Sequence, residues 1–155
     1  MSLALLLSAC GAEFNPLFVE SGGSGPVIGW RVCPGARPDG IAEVGLYRWD
    51  RDGTADDPGE LLWHIEASHG ITTHRIRLGS SPRGFTTRLP LSVALDPAST
   101  YALRTNMSSD DLVEGFLTFR PRQLRAGSLV FSDGRTESRR AYDGRDDEDF
   151  GCFSD

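Results

Sequence analysis

Three histidines crowd one short stretch, His64, His69 and His74, with Glu66 among them. Imidazole and carboxylate are ordinary zinc ligands, so the first question is whether the chain folds them together. A turn at Ser68-His69-Gly70 sets His64 across from His74, with Glu66 on the same face. That register opposes Leu61, Trp63, Ile65 and Ala67 to Arg77, Arg75, Thr73 and Ile71, which leaves no continuous apolar face. Lengthening the loop by one residue opposes the same four to Leu78, Ile76, His74 and Thr72, and the apolar face becomes continuous. A one-residue slip turns every side chain of a strand over, so burial selects the second register. His64 is then expected to face solvent opposite Arg75, with His74 at the rim of the core face and no metal site.

The carboxylates come in three groups. Asp50, Asp52, Asp56 and Asp57 surround Gly53 and end near Glu60. Oxygen ligands at alternate positions around a glycine suit calcium. Counted from Asp50, however, the glycine falls at the fourth position and the twelfth is Leu61, so a polar loop joining two strands is the expectation and calcium the alternative. Asp110, Asp111 and Glu114 precede a candidate strand and could flank a cleft, although paired carboxylates catalyse only at a suitable separation. Asp143 to Asp149 form an acidic tail beside Arg139, Arg140 and Arg145. The chain has no Gly-x-Ser-x-Gly elbow, no His-Glu-x-x-His pair and no phosphate-binding glycine loop. It has no lysine, which removes Schiff-base chemistry. A non-enzyme without a cofactor is expected, with an enzyme or a calcium-binding module as remoter alternatives.

The elements that must position these groups read as β-strands. Val27 to Cys33, Ile41 to Asp50, Glu60 to Ala67, Thr72 to Leu78, Thr87 to Val93, Tyr101 to Asn106, Phe116 to Arg120 and Ser128 to Phe131 are short and rich in branched or aromatic residues. Pro34-Gly35, Asp39-Gly40, Asp52-Gly53, Pro58-Gly59, Asp133-Gly134 and Asp143-Gly144 punctuate them. Strands of this number and spacing predict an all-β, two-sheet sandwich over residues 27–155. Residues 11–26 are expected to be a tether or lead-in, because Ser21 to Pro26 has linker composition, while Phe14, Leu17, Phe18 and Val19 could form an edge strand or pack on the domain. The net charge of −6 argues against nucleic-acid binding and against direct docking on anionic lipid heads. After residue 10 no stretch approaches the length of an apolar membrane span. Loops carried on a rigid scaffold are the usual place for recognition, so Arg48 to Glu60 and Met107 to Glu114 are the candidate binding loops. Trp49 stands at the edge of the first and is its best anchor if exposed. Tyr47 and Trp49 share one face of their strand, Val44, Leu46 and Arg48 the other, and the first pair is a candidate buried set.

Two short motifs carry resemblances. Leu3-Ala4-Leu5-Leu6-Leu7-Ser8-Ala9-Cys10, followed by Gly11, resembles the lipobox of bacterial lipoproteins. The resemblance implies that residues 1–10 are a signal remnant and lipobox. Cys10 would carry the lipid, and the protein would be exported and anchored to the outer face of the cytoplasmic membrane or cell envelope. Lipidation of Cys10 would leave Cys33 and Cys152 as a pair, and an oxidising compartment permits a disulfide that pins the C-terminal tail to an early strand; two free thiols are the alternative. Leu95-Asp96-Pro97-Ala98-Ser99-Thr100-Tyr101 is similar to the stretch that enters the sixth strand of fibronectin type III domains. There the tyrosine makes a corner, its hydroxyl bonding back to the preceding backbone. That resemblance implies an immunoglobulin-like sandwich, with Trp30 as a plausible counterpart of its buried tryptophan and with Gln123 to Gly127 and the tail as additions. The function expected is a membrane-anchored, non-catalytic binding module for an envelope protein or glycan, or alternatively a structural accessory subunit of an envelope complex.

Overall fold

The computed structural model describes residues 17–31, 41–71, 73–107 and 115–150. Among the described residues ten strands run in chain order: β1 (Phe18–Gly22), β2 (Gly25–Gly29), β3 (Ile41–Trp49), β4 (Gly59–Ile71), β5 (Arg75–Arg77), β6 (Thr86–Leu89), β7 (Tyr101–Met107), β8 (Gly115–Phe119), β9 (Ser128–Phe131) and β10 (Thr136–Ser138). A helical turn, α1 (Arg139–Asp143), follows β10. Two five-stranded sheets form, ordered β10-β9-β1-β2-β5 and β6-β4-β3-β7-β8, and every described pairing is antiparallel. The fold is an all-β two-sheet sandwich of immunoglobulin or fibronectin type III-like shape.

Alternation explains the core. Val19, Ile28 and Ile76 from the first sheet meet Val44, Leu46, Trp63, Ile65, Leu103, Leu117 and Phe119 from the second. In antiparallel sheets, residues two apart share a face, so the polar positions between them point outward. The pattern breaks where Tyr47 pairs with Leu61 and Leu46 with Trp63, a bulge that turns Leu62 inward and leaves Leu61 exposed.

Setting aside β6, β9 and β10, the remaining seven strands divide into β1-β2-β5 and β4-β3-β7-β8. Tyr101 opens β7, the sixth of the seven. Its buried hydroxyl accepts a hydrogen bond from the Asp96 amide at 2.8 Å, which is the corner the resemblance implies. The turn beneath it is held by the Asp96 carboxylate, which accepts from the Ala98 amide at 3.0 Å and the Ser99 hydroxyl at 2.7 Å. These two bonds hold the Asp96 carboxyl below its ordinary range. The fully buried tryptophan is Trp63 on β4; Trp30, just past β2, is partly buried against the core.

Three expectations are corrected. First, the sheet starts before Val27. Ser21 to Pro26 is the tip of a tight hairpin: Gly22 pairs with Gly25, whose φ of 131° favours glycine. A Cβ on Gly22 would lie 2.7 Å from the Gly25 carbonyl oxygen. The strand it closes, β1, is the centre of its sheet rather than an edge. Second, the hairpin expected between residues 60–67 and 72–78 does not form. β4 stays in the second sheet between β3 and β6, while β5 crosses to the first and pairs with β2, Ile76 opposite Ile28.

Third, the disulfide-pinned tail is replaced by packing and charge. No disulfide bond is present among the described residues, and Cys33 and Cys152 lie outside them, as does Cys10. The tail is held on the outer face of the first sheet instead, through Arg139, Tyr142 and Arg145. Ser138 caps α1 by accepting from the Ala141 amide at 3.1 Å. The helix delivers Tyr142 against Phe18 and Phe131, with ring centroids 5.2 and 6.0 Å away, and Leu129 completes this second apolar cluster. Arg139 lies over the Phe18 ring and reaches the buried Glu20 through Nε at 3.2 Å, while Arg75 pairs with the same carboxylate from β5. Arg145 pairs with Glu137 at 2.6 Å. β1 is therefore buried on both faces: Leu17 and Val19 toward the core, Phe18 and Glu20 beneath the tail.

Candidate functional site

The outer faces of the two sheets differ. The first is covered by α1 through Tyr142, whereas the second presents outward side chains of its own strands. Register determines what the second presents. One row runs across the strands as Leu89, His64, Gly45, Arg104 and Phe116. The next holds Thr86, Glu66, Glu43 and Asn106, and a third holds Leu61, Tyr47, Ala102 and Thr118. Trp49 follows Tyr47 on the same face of β3.

Two regions result. At one end the half-buried rings of Trp49 and Phe116 meet, centroids 5.7 Å apart, although their strands are not neighbours. They can meet because the strand between them carries the small, fully buried Ala102. Tyr47 lies over Gly45, where an added Cβ would sit 2.7 Å from its ring. This glycine lets the tyrosine lie flat along the sheet. At the other end the Glu43 carboxylate gathers two partners: His64 Nε2 at 2.9 Å and Asn106 Nδ2 at 2.8 Å. A carboxylate only accepts, so Nε2 carries the hydrogen. Asn106 Oδ1 is buried and has no hydrogen-bond partner among the described residues. Glu66 pairs with Arg88 beside this group.

Of the residues singled out in the sequence, Trp49 belongs to this face. It is Val44 and Leu46 that are buried, so Tyr47 and Trp49 form the outward set. Asp50, Asp52, Asp56 and Asp57 are exposed in the β3–β4 loop. That loop is held by local bonds: the Gly53 amide donates to the Asp50 carbonyl at 3.0 Å, the Asp57 amide to the Thr54 hydroxyl at 3.1 Å, and the Asp52 amide to the Asp50 carboxylate at 3.3 Å. Asp110, Asp111 and Glu114 lie outside the described residues. β3 and β7 are antiparallel, with Arg48 opposite Tyr101 and Ile41 opposite Met107, so the first loop begins at the end of the sheet away from Met107, the last residue described before the second. His64 faces outward, as expected, but opposite Gly45 and Leu89 rather than Arg75.

Sequence reasoning missed Glu43, Asn106 and Phe116. Each is unremarkable in its own strand and acquires partners only through strand pairing. Among the described residues no three His, Cys, Asp or Glu side chains converge as metal ligands, and no helix is long and apolar enough to cross a membrane. Comparison with protein-family models, with curated proteins and with solved structures finds no match.

Proposed function

We propose that the protein is an exported lipoprotein, anchored through a lipid on Cys10, and that its sandwich is a non-catalytic binding module for an envelope protein or glycan. The observation that carries the binding half is the contrast between the two sheets. One outer face is sealed by the chain's own tail; the other presents Tyr47, Trp49 and Phe116 beside hydrogen-bonding side chains. Aromatic rings next to polar groups are enriched where proteins bind other molecules. The anchoring half rests on the lipobox resemblance alone.

The exposed Leu61 and Leu89 border the same face, opposite Tyr47 and His64. This supports a second reading, a structural accessory subunit packed permanently against another envelope protein. Such an interface would be larger and more apolar than that of a reversible binder.

Two measurements test the proposal. Intact mass and peptide mapping of the protein from its native membrane fraction should show a diacylglyceryl group on Cys10; an unmodified cysteine in a chain starting at Met1 overturns the anchoring. Pull-down of solubilised envelope by purified protein should lose its captured component in Trp49→Ala. Capture unchanged in Trp49→Ala and Tyr47→Ala would remove this face from the function. Co-purification in fixed stoichiometry from native membranes would favour the accessory-subunit reading.

A further inference from the structure

An antiparallel sheet with one face toward water alternates apolar residues inward with polar residues outward. The outer face of the first sheet departs from that rule. Phe18 on β1 pairs with Phe131 on β9, and Glu20 pairs with Leu129; all four point away from the core and all four are buried. The floor they make is apolar except at the Glu20 carboxylate, which is 6% exposed. A carboxylate that deep requires cations. Arg75 supplies one from within the sheet, and Arg139 of α1 supplies the other, its Nε 3.2 Å from Oε2.

The cover on this floor is slight. Five residues form α1; Tyr142 is buried and Arg139 half-buried, while Arg140, Ala141 and Asp143 are exposed. A helix that short has no stability of its own. Arg139 and Tyr142 are three residues apart and so lie on one side of it. The Arg139 guanidinium sits 4.8 Å over the Phe18 ring, and the Tyr142 ring lies 5.2 Å from the same ring. The floor therefore reads an arginine on a buried carboxylate, followed one helical turn later by an aromatic ring. Among the described residues the tail after Ser138 adds no strand to the sheet, so it can leave without breaking a ladder.

We propose that this floor is a docking groove for a helical Arg-x-x-Tyr segment of a partner protein, and that α1 is a displaceable strap that occupies the groove until the partner arrives. The occupant's chemistry is given by the chain's own tail and by Glu20, which requires a cation from whatever lies above it. Neither the lipid on Cys10 nor the aromatic face of the second sheet enters this reading. A segment held by few buried side chains opens at lower cost than the domain unfolds. The strap competes as a tethered ligand, and a partner's apparent affinity falls by the fraction of molecules in which the groove is open. Loosening the strap must then tighten binding in trans, which a purely structural tail would not do.

The probe is a fluorescent peptide with the sequence of residues 137–146, titrated into the full chain and followed by anisotropy. It should bind Tyr142→Ala about tenfold more tightly than the wild type. The same peptide carrying Arg139→Ala or Tyr142→Ala should lose that binding. In the wild type, millimolar peptide should speed the exchange of the amides of Ala141, Gly144 and Arg145, which donate within the strap, and leave those of residues 18–20 protected. Equal affinity for the two proteins overturns the proposal. So does binding that survives both peptide changes, and so does no binding to Tyr142→Ala at millimolar peptide. Should Tyr142→Ala fail to fold, the wild-type exchange decides, and no acceleration at millimolar peptide overturns the proposal.

Discussion

Replacing Tyr101 with phenylalanine isolates the hydroxyl that ties β7 to the turn before it. The ring is 3% exposed and packs beside Phe119 with centroids 6.0 Å apart, and phenylalanine preserves that packing. What disappears is the acceptor of the 2.8 Å bond from the Asp96 amide. A typical hydrogen bond contributes about 1 kcal/mol net, and a part-buried amide left without a partner adds up to about 1 kcal/mol more. Tyr101→Phe is therefore expected to cost about 1–2 kcal/mol. For a domain of this length that is a fall in Tm of about 2–8 °C. Urea denaturation followed by tryptophan fluorescence reads the same loss as a lower midpoint at an unchanged slope. Tyr101→Leu, which also removes the ring, should cost more. If Tyr101→Phe lies within about 0.3 kcal/mol of the wild type while Tyr101→Leu is severely destabilised, the residue acts by packing alone and the corner argument fails.

Three further outcomes follow from the same geometry. Tyr142→Ala should cost about 3 kcal/mol by emptying the cluster around Phe18 and Phe131, and limited trypsin digestion should then cut at Arg139 or Arg140 before anywhere in the strands. Gly29→Ala should destabilise by about 1–3 kcal/mol in urea titration, because the new Cβ falls 2.4 Å from the Phe18 ring. The lowered pKa of Asp96 means that the unfolded chain takes up its proton first as pH falls. The stabilisation is full above the ordinary carboxylate value of about 3.9 and is lost as pH drops through the lower folded value. Unfolding curves between neutral and acid pH should consequently be less steep in pH for Asp96→Asn than for the wild type.

What was legible in the sequence was what depends on neighbours along the chain. Leu95 to Tyr101 encodes its corner within seven residues, and the structure closes it with the expected hydroxyl-to-backbone bond. The two-sheet architecture followed from strand length, alternation and turn residues. The hairpin around His69 failed because adjacency in sequence was taken as pairing in space. Ile76 and Leu78 do have an apolar face to join, but it belongs to the opposite sheet, and only the competing offers of β2 and β6 decide between partners. The glycines of residues 21–26 looked like a flexible tether, since composition cannot tell a loose chain from a tight turn. On the outward face of the second sheet, His64 was expected to face solvent and Trp49 was singled out as an anchor, whereas burial had been the expectation weighed for Tyr47 with Trp49. Glu43, His64 and Asn106 sit on three strands, and their meeting depends on two registers and a bulge that no local pattern encodes.

The central position of β1 has a mechanical consequence. Phe18 opens the first described strand, which is laddered on one side to β2 over five residue pairs and on the other to β9 over three. A pull on the N-terminus along the strand axis loads both ladders in shear, so their hydrogen bonds must yield together rather than unzip one after another. The aromatic lid of Phe131 and Tyr142 over Phe18 adds a clamp across the same strand. A domain held by its first residues to a moving surface would bear tension through a strand laddered on both sides.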